Sequence, residues 1–346
     1  MARQAAFFGF EPWKDYIPRW FPDRKCKVIT RKTELMLLRG WPFRLLLSPR
    51  QDVFVWGFKH PPFLKKFCRF FGIPFYHVED GFVRSVSLGA MRAAPASLII
   101  DKRTMHYDAQ NPSDLESTLQ SYDFAADAAL MVRADQCIRM LLDLRVSKYN
   151  LGKRVGIDTM LGPKTKRRVL VIGQVETDAA IAFGCDRPFS NNDLVILAAS
   201  ENPDAQIVYK PHPEVLHGTR AGVSDPAEVA HLCTILNEDV TPADALDGAD
   251  HVYTITSLMG FEALLRGIPV TCIGLPFYAG WGATDDRQVS PRRTRQLSPV
   301  EIFAAAYLLH SRYFDPETGE PSDLERVIRR LSDMRQRDTR LQSTEY

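Results

Sequence analysis

Three short β-branched runs in the second half of this chain each end in a cluster of polar, reactive side chains. The runs cover residues 169–173, 207–209 and 251–255, and the clusters cover residues 174–178, 210–213 and 256–262. Short apolar strands separated by helices predict an open parallel sheet. Ligands of such sheets bind beyond the carboxyl ends of the strands, so we expect the three clusters to converge on one ligand.

The first half of the chain has a strand series of its own, which predicts a second sheet. Its apolar runs cover residues 7–10, 27–29, 53–57, 75–78 and 98–101. A chain of 346 residues exceeds the usual size of one core, and a basic segment broken by Gly-Pro at residues 162–168 is the predicted hinge. We therefore predict an α/β protein with two Rossmann-like domains that face a cleft, covering residues 1–165 and 166–300, and with helices of residues 301–346 packing across both. This architecture is GT-B-like, and it also suits a sugar-nucleotide epimerase.

Composition narrows the possible partners. A net charge of +2 is too small to predict nucleic acid as the main partner, and no stretch approaches the ~20 apolar residues that span a bilayer. Six cysteines without a C-x-x-C pair predict reduced thiols, which favours the cytoplasm. Glu11 and Lys14 interrupt the apolar opening too early for a signal peptide, so we predict a first strand there. Neither a G-x-G-x-x-G after the first strand of either half nor a P-loop motif is present, so dinucleotide and P-loop sites lose their main support.

The segment Lys210-Pro211-His212-Pro213 is the sharpest motif. Two prolines fix the backbone on either side of His212, so a lysine and an imidazole point outward from a strand end on a stiff loop. Both side chains can neutralise phosphate oxygens, and the histidine can donate a proton to a departing phosphate. A rigid turn with solvated side chains is the alternative.

Residues 256–262 form a strand-to-helix junction. Ser257 or Thr256 can cap the helix, whose free amides and dipole make an anion site. Gly260 lets another chain segment or a ligand approach the first turn closely, and Glu262 can accept hydrogen bonds from ribose hydroxyls. An ordinary capped helix with a surface glutamate explains Ser257 well but explains Gly260 poorly.

Acidic side chains follow one strand in each half. Asp178, which lies four residues after Gln174, is either a nucleophile or base or only the N-cap of the next helix, and spacing alone favours the cap. In the first half, Glu79 and Asp80 end a strand, where one can act as a general base and the other can orient it. Arg84 can bind a carboxylate through two hydrogen bonds.

Two further features concern metals and aromatic side chains. A metal site at His77 with the adjacent carboxylates is disfavoured, because residues at that spacing on a strand end rarely converge on one ion. Residues 276–282 are rich in glycine and aromatic side chains. This segment, with Tyr278 and Trp281, is expected to be too flexible for a core and to form a platform for a sugar or a base. An aromatic loop that packs on the other domain is the alternative.

Together these segments resemble the capsule polysaccharide β-Kdo transferases of the KpsC type and related lipopolysaccharide Kdo transferases. The matching segments run through nearly the whole chain in family order, at residues 79–85, 147–150, 174–178, 210–213, 256–267 and 277–282. Many members carry two such modules in tandem; this chain carries one, and its opening looks more like the second. The resemblance implies a GT-B-like fold, the donor CMP-β-Kdo and a product that keeps the β configuration.

The resemblance also implies roles for single residues. Asp178 becomes the nucleophile of a double displacement, which reverses the preference for a cap. Lys210, His212 and the helix start at Ser257 then offset the charge of the departing CMP, with no metal or other cofactor. Glu79 or Asp80 deprotonates the acceptor hydroxyl. The other expected substrate contacts are Arg84 with the Kdo carboxylate, Glu262 with the ribose, Tyr278 or Trp281 with sugar or cytosine, and Gln174, Thr256 and Gly260 elsewhere on the substrate.

The expected partners are CMP-Kdo and a glycan acceptor, lipid-linked, at the cytoplasmic face of the inner membrane. Lys65, Lys66, Arg69 and Arg44 can hold the protein against an anionic membrane, although a solvated face explains these charges equally well.

Two rival functions remain at this stage. One is a nucleotide-sugar epimerase on the same architecture, which releases and adds back the nucleotide without an acceptor. The other is a non-catalytic polysaccharide-binding or export partner, which tolerates loss of Asp178 and Glu79, whereas a transferase does not.

Overall fold

The computed structural model describes residues 3–14, 16–29, 48, 50–87, 93–150, 155–238 and 240–344. Arg44, one of the cations expected to face a membrane, lies outside these described residues. Among the described helices, none is long and apolar enough to cross a membrane. All six cysteines are described and none forms a disulfide bond, as the sequence predicted.

The described residues form thirteen strands, and the predicted opening strand is among them. The strands are β1 Arg3–Phe8, β2 Arg24–Ile29, β3 Gln51–Trp56, β4 Phe75–Asp80, β5 Ser97–Asp101, β6 Arg168–Ile172, β7 Gln206–Lys210, β8 Thr234–Ile235, β9 His251–Thr254, β10 Val270–Cys272, β11 Asp285–Asp286, β12 Ser311–Phe314 and β13 Pro321–Ser322.

Helices connect most of these strands. The α-helices are α1 Pro62–Phe70, α2 Asp114–Ser121, α3 Ala128–Asp143, α4 Ile157–Leu161, α5 Ala179–Gly184, α6 Asn191–Glu201, α7 Pro213–Leu216, α8 Pro242–Asp247, α9 Leu258–Leu264, α10 Pro299–Phe303 and α11 Leu324–Thr344. Short 3-10 helices lie at Pro12–Lys14, Ile17–Trp20 and Pro226–Val229, and a π-helix at Ala304–Leu309 continues α10.

The strands form two sheets, one mainly from each half of the chain. The second sheet has the order β11-β10-β9-β6-β7-β8 and is parallel throughout, which confirms the open parallel sheet predicted from its apolar runs. The first sheet has the order β13-β12-β5-β4-β3-β1-β2 and is mixed. Its strands β1 to β4 are parallel, whereas β5 runs antiparallel to β4 because no helix crosses over in the described parts of their connection.

Strand β6 shows how burial sets the strand pattern of the second sheet. All five of its residues are buried, as expected for a parallel strand that is covered on both faces. Its first residue, Arg168, was placed in the predicted hinge but is buried as well. The Arg168 guanidinium reaches Asp158 Oδ1 at 2.8 Å and Gln206 Oε1 at 2.9 Å, so its charge is paired inside the fold.

One apolar core crosses the boundary between the two halves. The ring of Phe82 in the first half lies 4.6 Å from that of Phe277 and 5.0 Å from that of Tyr307, centroid to centroid. Phe261 in α9 contacts the same Phe277 ring at 5.3 Å. The two sheets are therefore joined through packed side chains and not only through the connecting chain.

The C-terminal segment returns to the first sheet. Strand β12 pairs antiparallel with β5, and β13 pairs with β12, so the segment adds a hairpin where the sequence indicated only helices and a turn. Helix α11 then lies against α3, where Glu325 accepts two hydrogen bonds from Arg133 at 2.7 and 2.9 Å. The hairpin escaped prediction because its strands have four and two residues and no alternating pattern.

A buried ion cluster fastens residues 292–295 onto α2. Glu116 in α2 accepts hydrogen bonds from Arg292 Nε at 2.6 Å and from Arg293 Nε at 3.0 Å. Arg293 also donates to the carbonyl oxygens of Pro276 and Ala279, both at 2.6 Å, and its side chain is almost fully buried. The cluster therefore links the first half to the loop that follows β10.

We expect Arg293→Met to lower the free energy of unfolding by about 3 kcal/mol, because it leaves buried acceptors unpaired across the boundary. Denaturant unfolding measures the change. Arg139→Met is the control, since Arg139 pairs with Asp135 on an exposed helix face, and its effect should stay within about 0.5 kcal/mol. Equal losses in the two variants would contradict a role for Arg293 in joining the halves.

Candidate active site

The carboxyl ends of parallel strands from both sheets open onto one cavity of about 930 Å³. From the first sheet the wall includes residues after β1 and β3 and the end of β4; from the second it includes residues after β6, β7 and β9. The three polar clusters of the second half all contribute, which confirms that they converge. Cavities of this size hold ligands as large as a nucleotide sugar.

Asp178 lies at the cavity wall and is exposed there. It is also the N-cap of α5, where its Oδ1 accepts a hydrogen bond from the Ala180 amide at 2.8 Å. Its second carboxylate oxygen has no hydrogen bond to any described residue. The cap and the cavity position are thus compatible, because the cap uses one oxygen and fixes the direction of the other.

Lys210 and His212 line the cavity beside Asp178. Lys210 is buried at the end of β7. His212 is the N-cap of α7, and its Nδ1 accepts a hydrogen bond from the Glu214 amide at 3.2 Å, which leaves the ring proton on Nε2. Burial and the charge of Lys210 lower the pKa of His212 to about 4, against the opposing effect of Asp178. The imidazole is therefore a neutral hydrogen-bond donor near pH 7, and the positive charge of this loop comes from Lys210.

Gln174 connects the carboxyl ends of β6 and β9. Its Oε1 accepts a hydrogen bond from the Thr256 amide at 2.7 Å, and its Nε2 donates to Thr256 Oγ1 at 3.1 Å. Ser257 follows as the N-cap of α9, with its Oγ 3.3 Å from the Met259 amide. All three predicted residues reach the cavity, but the Gln174 amide is used to hold the loops together.

The glycine at position 260 serves packing. A Cβ there would collide with the hydroxyl of Tyr278 and would lie 2.9 Å from Thr254 Cγ2. The Tyr278 hydroxyl itself donates to the Ser257 carbonyl oxygen. The close approach foreseen at Gly260 is therefore made by another segment of the chain, and Gly260 does not line the cavity.

Residues 276–279 and Trp281 are buried, so the prediction of a flexible platform is wrong. Trp281 is fully buried, donates its Nε1 proton to the Phe277 carbonyl oxygen at 2.9 Å and does not line the cavity. Tyr278 is also fully buried, but it lines the cavity. Gly280 and Gly282 adopt φ values of 82° and 78°, which let the chain turn tightly enough to fold these rings inward.

Glu262 is a buried link between the halves, not a surface glutamate. Its Oε1 accepts hydrogen bonds from Ser147 Oγ at 2.5 Å and from the Lys148 amide at 3.4 Å. Its Oε2 is buried without a hydrogen-bond partner, and burial raises the pKa of the carboxyl group. Glu262 also lines the cavity, although its unpaired oxygen is buried.

Two adjacent carboxylates face the cavity from the end of β4. Burial and the neighbouring Asp80 raise the pKa of Glu79 to about 7, against the opposing effect of Lys14. Asp80 Oδ2 accepts a hydrogen bond from Arg84 Nε at 2.7 Å. Arg84 is buried and also donates to Ser85 Oγ at 2.9 Å. The guanidinium is thus already paired with Asp80, which differs from its expected role as a ligand of a substrate carboxylate.

Several further polar residues line the cavity without a role assigned from the sequence, and Lys14, Tyr107 and Lys148 are three of them. The Lys14 ammonium lies 2.8 Å from the centre of the Trp56 ring, and burial lowers the pKa of Lys14 to about 8. Tyr107 places its hydroxyl near Glu79. A Cβ atom added to Gly57 would lie 3.2 Å from the Tyr107 hydroxyl and 3.4 Å from Glu79 Oε2. Lys148 is the third. One sign in the sequence indicated that Lys148 belongs to the site, namely its place in the matching segment 147–150. Lys14 was noted in the sequence only as a charge that interrupts an apolar run.

Within the part of the chain that the structure describes, no group of three His, Cys, Asp or Glu side chains has the geometry to hold a metal ion.

Comparison with known proteins relates the chain to enzymes and processing proteins of surface polysaccharides. The family model described as capsule polysaccharide biosynthesis protein matches residues 51–315. The lipopolysaccharide-processing protein LpsZ of Rhizobium meliloti is 43% identical over 326 residues, which cover 94% of this chain and 73% of LpsZ. The capsule polysaccharide modification protein LipA of Neisseria meningitidis serogroup B is 36% identical over 321 residues, and this chain spans only 44% of its length.

Two solved structures share the fold. The β-Kdo 2,4 transferase of Thermosulfurimonas dismutans KpsC superposes with a TM-score of 0.80 and 32% identity, over 96% of this chain and 98% of that one. The β-Kdo 2,7 transferase of the same KpsC gives 0.70 and 31%, over 96% and 99%. The fold is therefore GT-B-like, as predicted, and the chain belongs to the capsule polysaccharide biosynthesis family, alongside KpsC.

Proposed function

We propose that the protein is a retaining glycosyltransferase that moves Kdo from CMP-β-Kdo to a glycan acceptor in capsule or lipopolysaccharide biosynthesis. The observation that carries the proposal is one cavity with an exposed carboxylate, Asp178, beside the Lys210 and His212 loop on one side and Glu79 on the other. The likeness to two Kdo transferase structures supports the choice of sugar and nucleotide.

In the first step Asp178 attacks C2 of Kdo. The bond from C2 to the phosphate oxygen breaks, and its electron pair leaves with CMP, so a covalent Kdo-aspartate forms with inverted configuration. The Lys210 ammonium and the Nε2 proton of His212 meet the charge that grows on the phosphate. The cap hydrogen bond from Ala180 keeps Asp178 in one orientation during the attack.

In the second step Glu79 removes the proton of the acceptor hydroxyl as that oxygen attacks C2, and Asp178 leaves as a carboxylate. A second inversion restores the β configuration. A carboxyl group with a pKa of about 7 suits a general base at neutral pH, because it is half ionised and still basic. Asp80 is held by Arg84 and acts on Glu79 through its charge. The geometry therefore favours Glu79 over Asp80 as the base.

The covalent step is tested by intact mass after mixing the protein with CMP-Kdo in the absence of acceptor. We expect one added Kdo on the wild type and none on Asp178→Asn, with transfer lowered at least about 10³-fold. Asparagine still caps a helix, so this variant separates lost chemistry from lost folding. Asp225→Ala removes the cap of another short helix and should keep the adduct.

Normal transfer by Asp178→Asn would contradict the nucleophile assignment. Rapid conversion of the donor without any acceptor, yielding a new nucleotide sugar, would instead favour an epimerase. If the wild type binds the donor but shows no turnover, the result would favour the non-catalytic binding protein.

The base is tested by the pH dependence of transfer. Because Glu79 works as a carboxylate, the rate should rise with pH and level off above about pH 7. Glu79→Gln should remove this limb and lower the rate by about 10²-fold or more. Asp80→Asn removes the like charge that raises the pKa of Glu79, so its limb should move to lower pH. If Asp80→Asn abolishes the limb and Glu79→Gln keeps it, the assignment is reversed.

We propose in addition that the exposed face of α1 contacts an anionic membrane that carries the lipid-linked acceptor. Phe63, Phe70 and Phe71 are exposed, with Phe70 at 82%, and Lys66 and Arg69 are exposed between them. The chain has no acidic residue between Asp52 and Glu79. Clustered cations with aromatic side chains suit the headgroup region of a bilayer.

Among the cations expected on this face, Lys65 points back to the protein. Its ammonium lies 2.7 Å from the Arg103 carbonyl oxygen and 3.2 Å from His77 Nε2. The membrane contact is therefore assigned to Lys66 and Arg69 among the described cations.

Co-sedimentation with vesicles of phosphatidylcholine, with and without phosphatidylglycerol, tests this surface. Lys66→Ser combined with Arg69→Ser should weaken binding to the anionic vesicles by about 30-fold, since each cation contributes roughly 1 kcal/mol. Arg326→Ser with Arg329→Ser makes the same charge change on α11 and should leave binding unchanged. An equal effect of the two pairs, or no binding by the wild type, would refute the assignment.

A further inference from the structure

The chemistry of the proposed donor restricts where its carboxylate can lie. In an ulosonic acid such as Kdo the carboxylate is attached to the carbon that the nucleophile attacks. A cation that binds this carboxylate must therefore sit close to Asp178, beside the line that joins the nucleophile, C2 and the leaving oxygen. This inference rests on the proposed function and extends it.

The cavity also needs such a cation on electrostatic grounds. Asp178, Glu79 and Asp80 all face it, so an incoming carboxylate meets like charges. Burying an anion among anions is unfavourable unless a cation is paired with it.

The other cations at the cavity wall are already paired or packed. Lys59 lies 3.8 Å from Glu11, and Arg220 lies 3.6 Å from Glu214. Arg84 is buried against Asp80. Lys210 lies next to His212 on the loop assigned to the phosphate, and its charge is among the causes of the low pKa of His212. Lys14 is packed on Trp56, and the carboxylates that act on its pKa are Asp80 and Glu79.

Lys148 is the remaining cation of the cavity wall, and its charge, like that of Lys210, contributes to the low pKa of His212. It lines the cavity and is partly exposed, and its ammonium lies 5.7 Å from the centre of the Tyr149 ring. Burial lowers the pKa of Lys148, but Tyr149, Asp80, Glu79 and Asp178 raise it, and the net pKa lies above the usual value. The pKa of Lys148 is therefore raised by carboxylates of both halves of the chain. The carboxylates that raise the pKa of Lys14, against the effect of burial, belong to the first half.

The backbone of Lys148 is fixed from both domains. Its carbonyl oxygen accepts hydrogen bonds from the amides of Arg84 at 3.1 Å and Ser85 at 3.3 Å. Its amide faces Glu262 Oε1, which also accepts from Ser147 Oγ. A lysine on a segment held this way needs little further ordering to bind a ligand.

We infer that Lys148 binds the carboxylate of the donor sugar and thereby makes the cavity selective for acidic sugars. Its ammonium donates charge-assisted hydrogen bonds to the carboxylate and holds C2 in front of Asp178. Glu262 is the positioning residue, because it fixes the segment that presents the lysine.

Equilibrium titration with CMP and with CMP-Kdo tests the inference, in the Asp178→Asn background so that no adduct forms. Lys148→Met should bind CMP-Kdo at least about tenfold more weakly, the loss expected for one charge-assisted hydrogen bond, and should bind CMP as before. Lys148→Arg keeps the charge and should recover part of the affinity. Lys210→Met should weaken both ligands, and Lys164→Met, whose ammonium pairs with Asp250 away from the cavity, should change neither.

The outcomes separate the inference from the proposed function. If the wild type forms the Kdo adduct but Lys148→Met binds CMP-Kdo normally, the inference fails and the proposed function stands. If Lys148→Met loses CMP as well, the lysine acts on the nucleotide or on the fold, and the inference also fails. If the wild type neither forms the adduct nor prefers CMP-Kdo to CMP, both fail.

Discussion

The side chain of Glu262 belongs to the second half of the chain and takes its hydrogen bonds from the first half. Ser147 and the Lys148 amide meet one of its oxygens, while the second oxygen stays buried without a partner at the cavity. A buried carboxyl group is costly unless its oxygens are satisfied, so the halves must approach in one arrangement to supply those donors. Glu116 imposes the same condition on the other side through Arg292 and Arg293. Buried acids on both sides of the boundary therefore take hydrogen bonds from the opposite half, and these bonds hold the two halves together at the cavity.

Within this cavity, neighbouring carboxyl groups have different environments, and the differences fit different tasks. Glu79 is buried beside another acid, and its pKa rises to about 7. Asp80 is paired with Arg84, and Asp178 is exposed at a helix start. Carboxyl groups with such different surroundings can act as a base, an orienting charge and a nucleophile at one pH. His212 completes the pattern, since its low pKa makes it a donor of a hydrogen bond without adding charge.

The sequence predicted what depends on strand ends and missed what depends on distant packing. A β-branched run followed by polar side chains marks a strand that stops at a sheet edge, so the convergence of residues 174–178, 210–213 and 256–262 followed from local patterns. Trp281 was misplaced because glycines beside aromatic side chains fit a mobile loop as well as a tightly turned core. The pairing of Arg84 with Asp80 was missed because only the folded chain shows that Asp80 accepts a hydrogen bond from its guanidinium.

The same limit explains why the cations of the cavity were the hardest residues to assign. A lysine in a sequence gives no sign of whether its ammonium reaches solvent, an aromatic ring or a carboxylate on another domain. Lys14, Lys148 and Lys210 lie far apart in the chain, yet all three reach one cavity, each with a different set of neighbours. An anionic sugar attached to an anionic nucleotide needs separate cations for its two charges. Lys148 comes from the first half of the chain and Lys210 from the second, and the charges of both help to lower the pKa of His212.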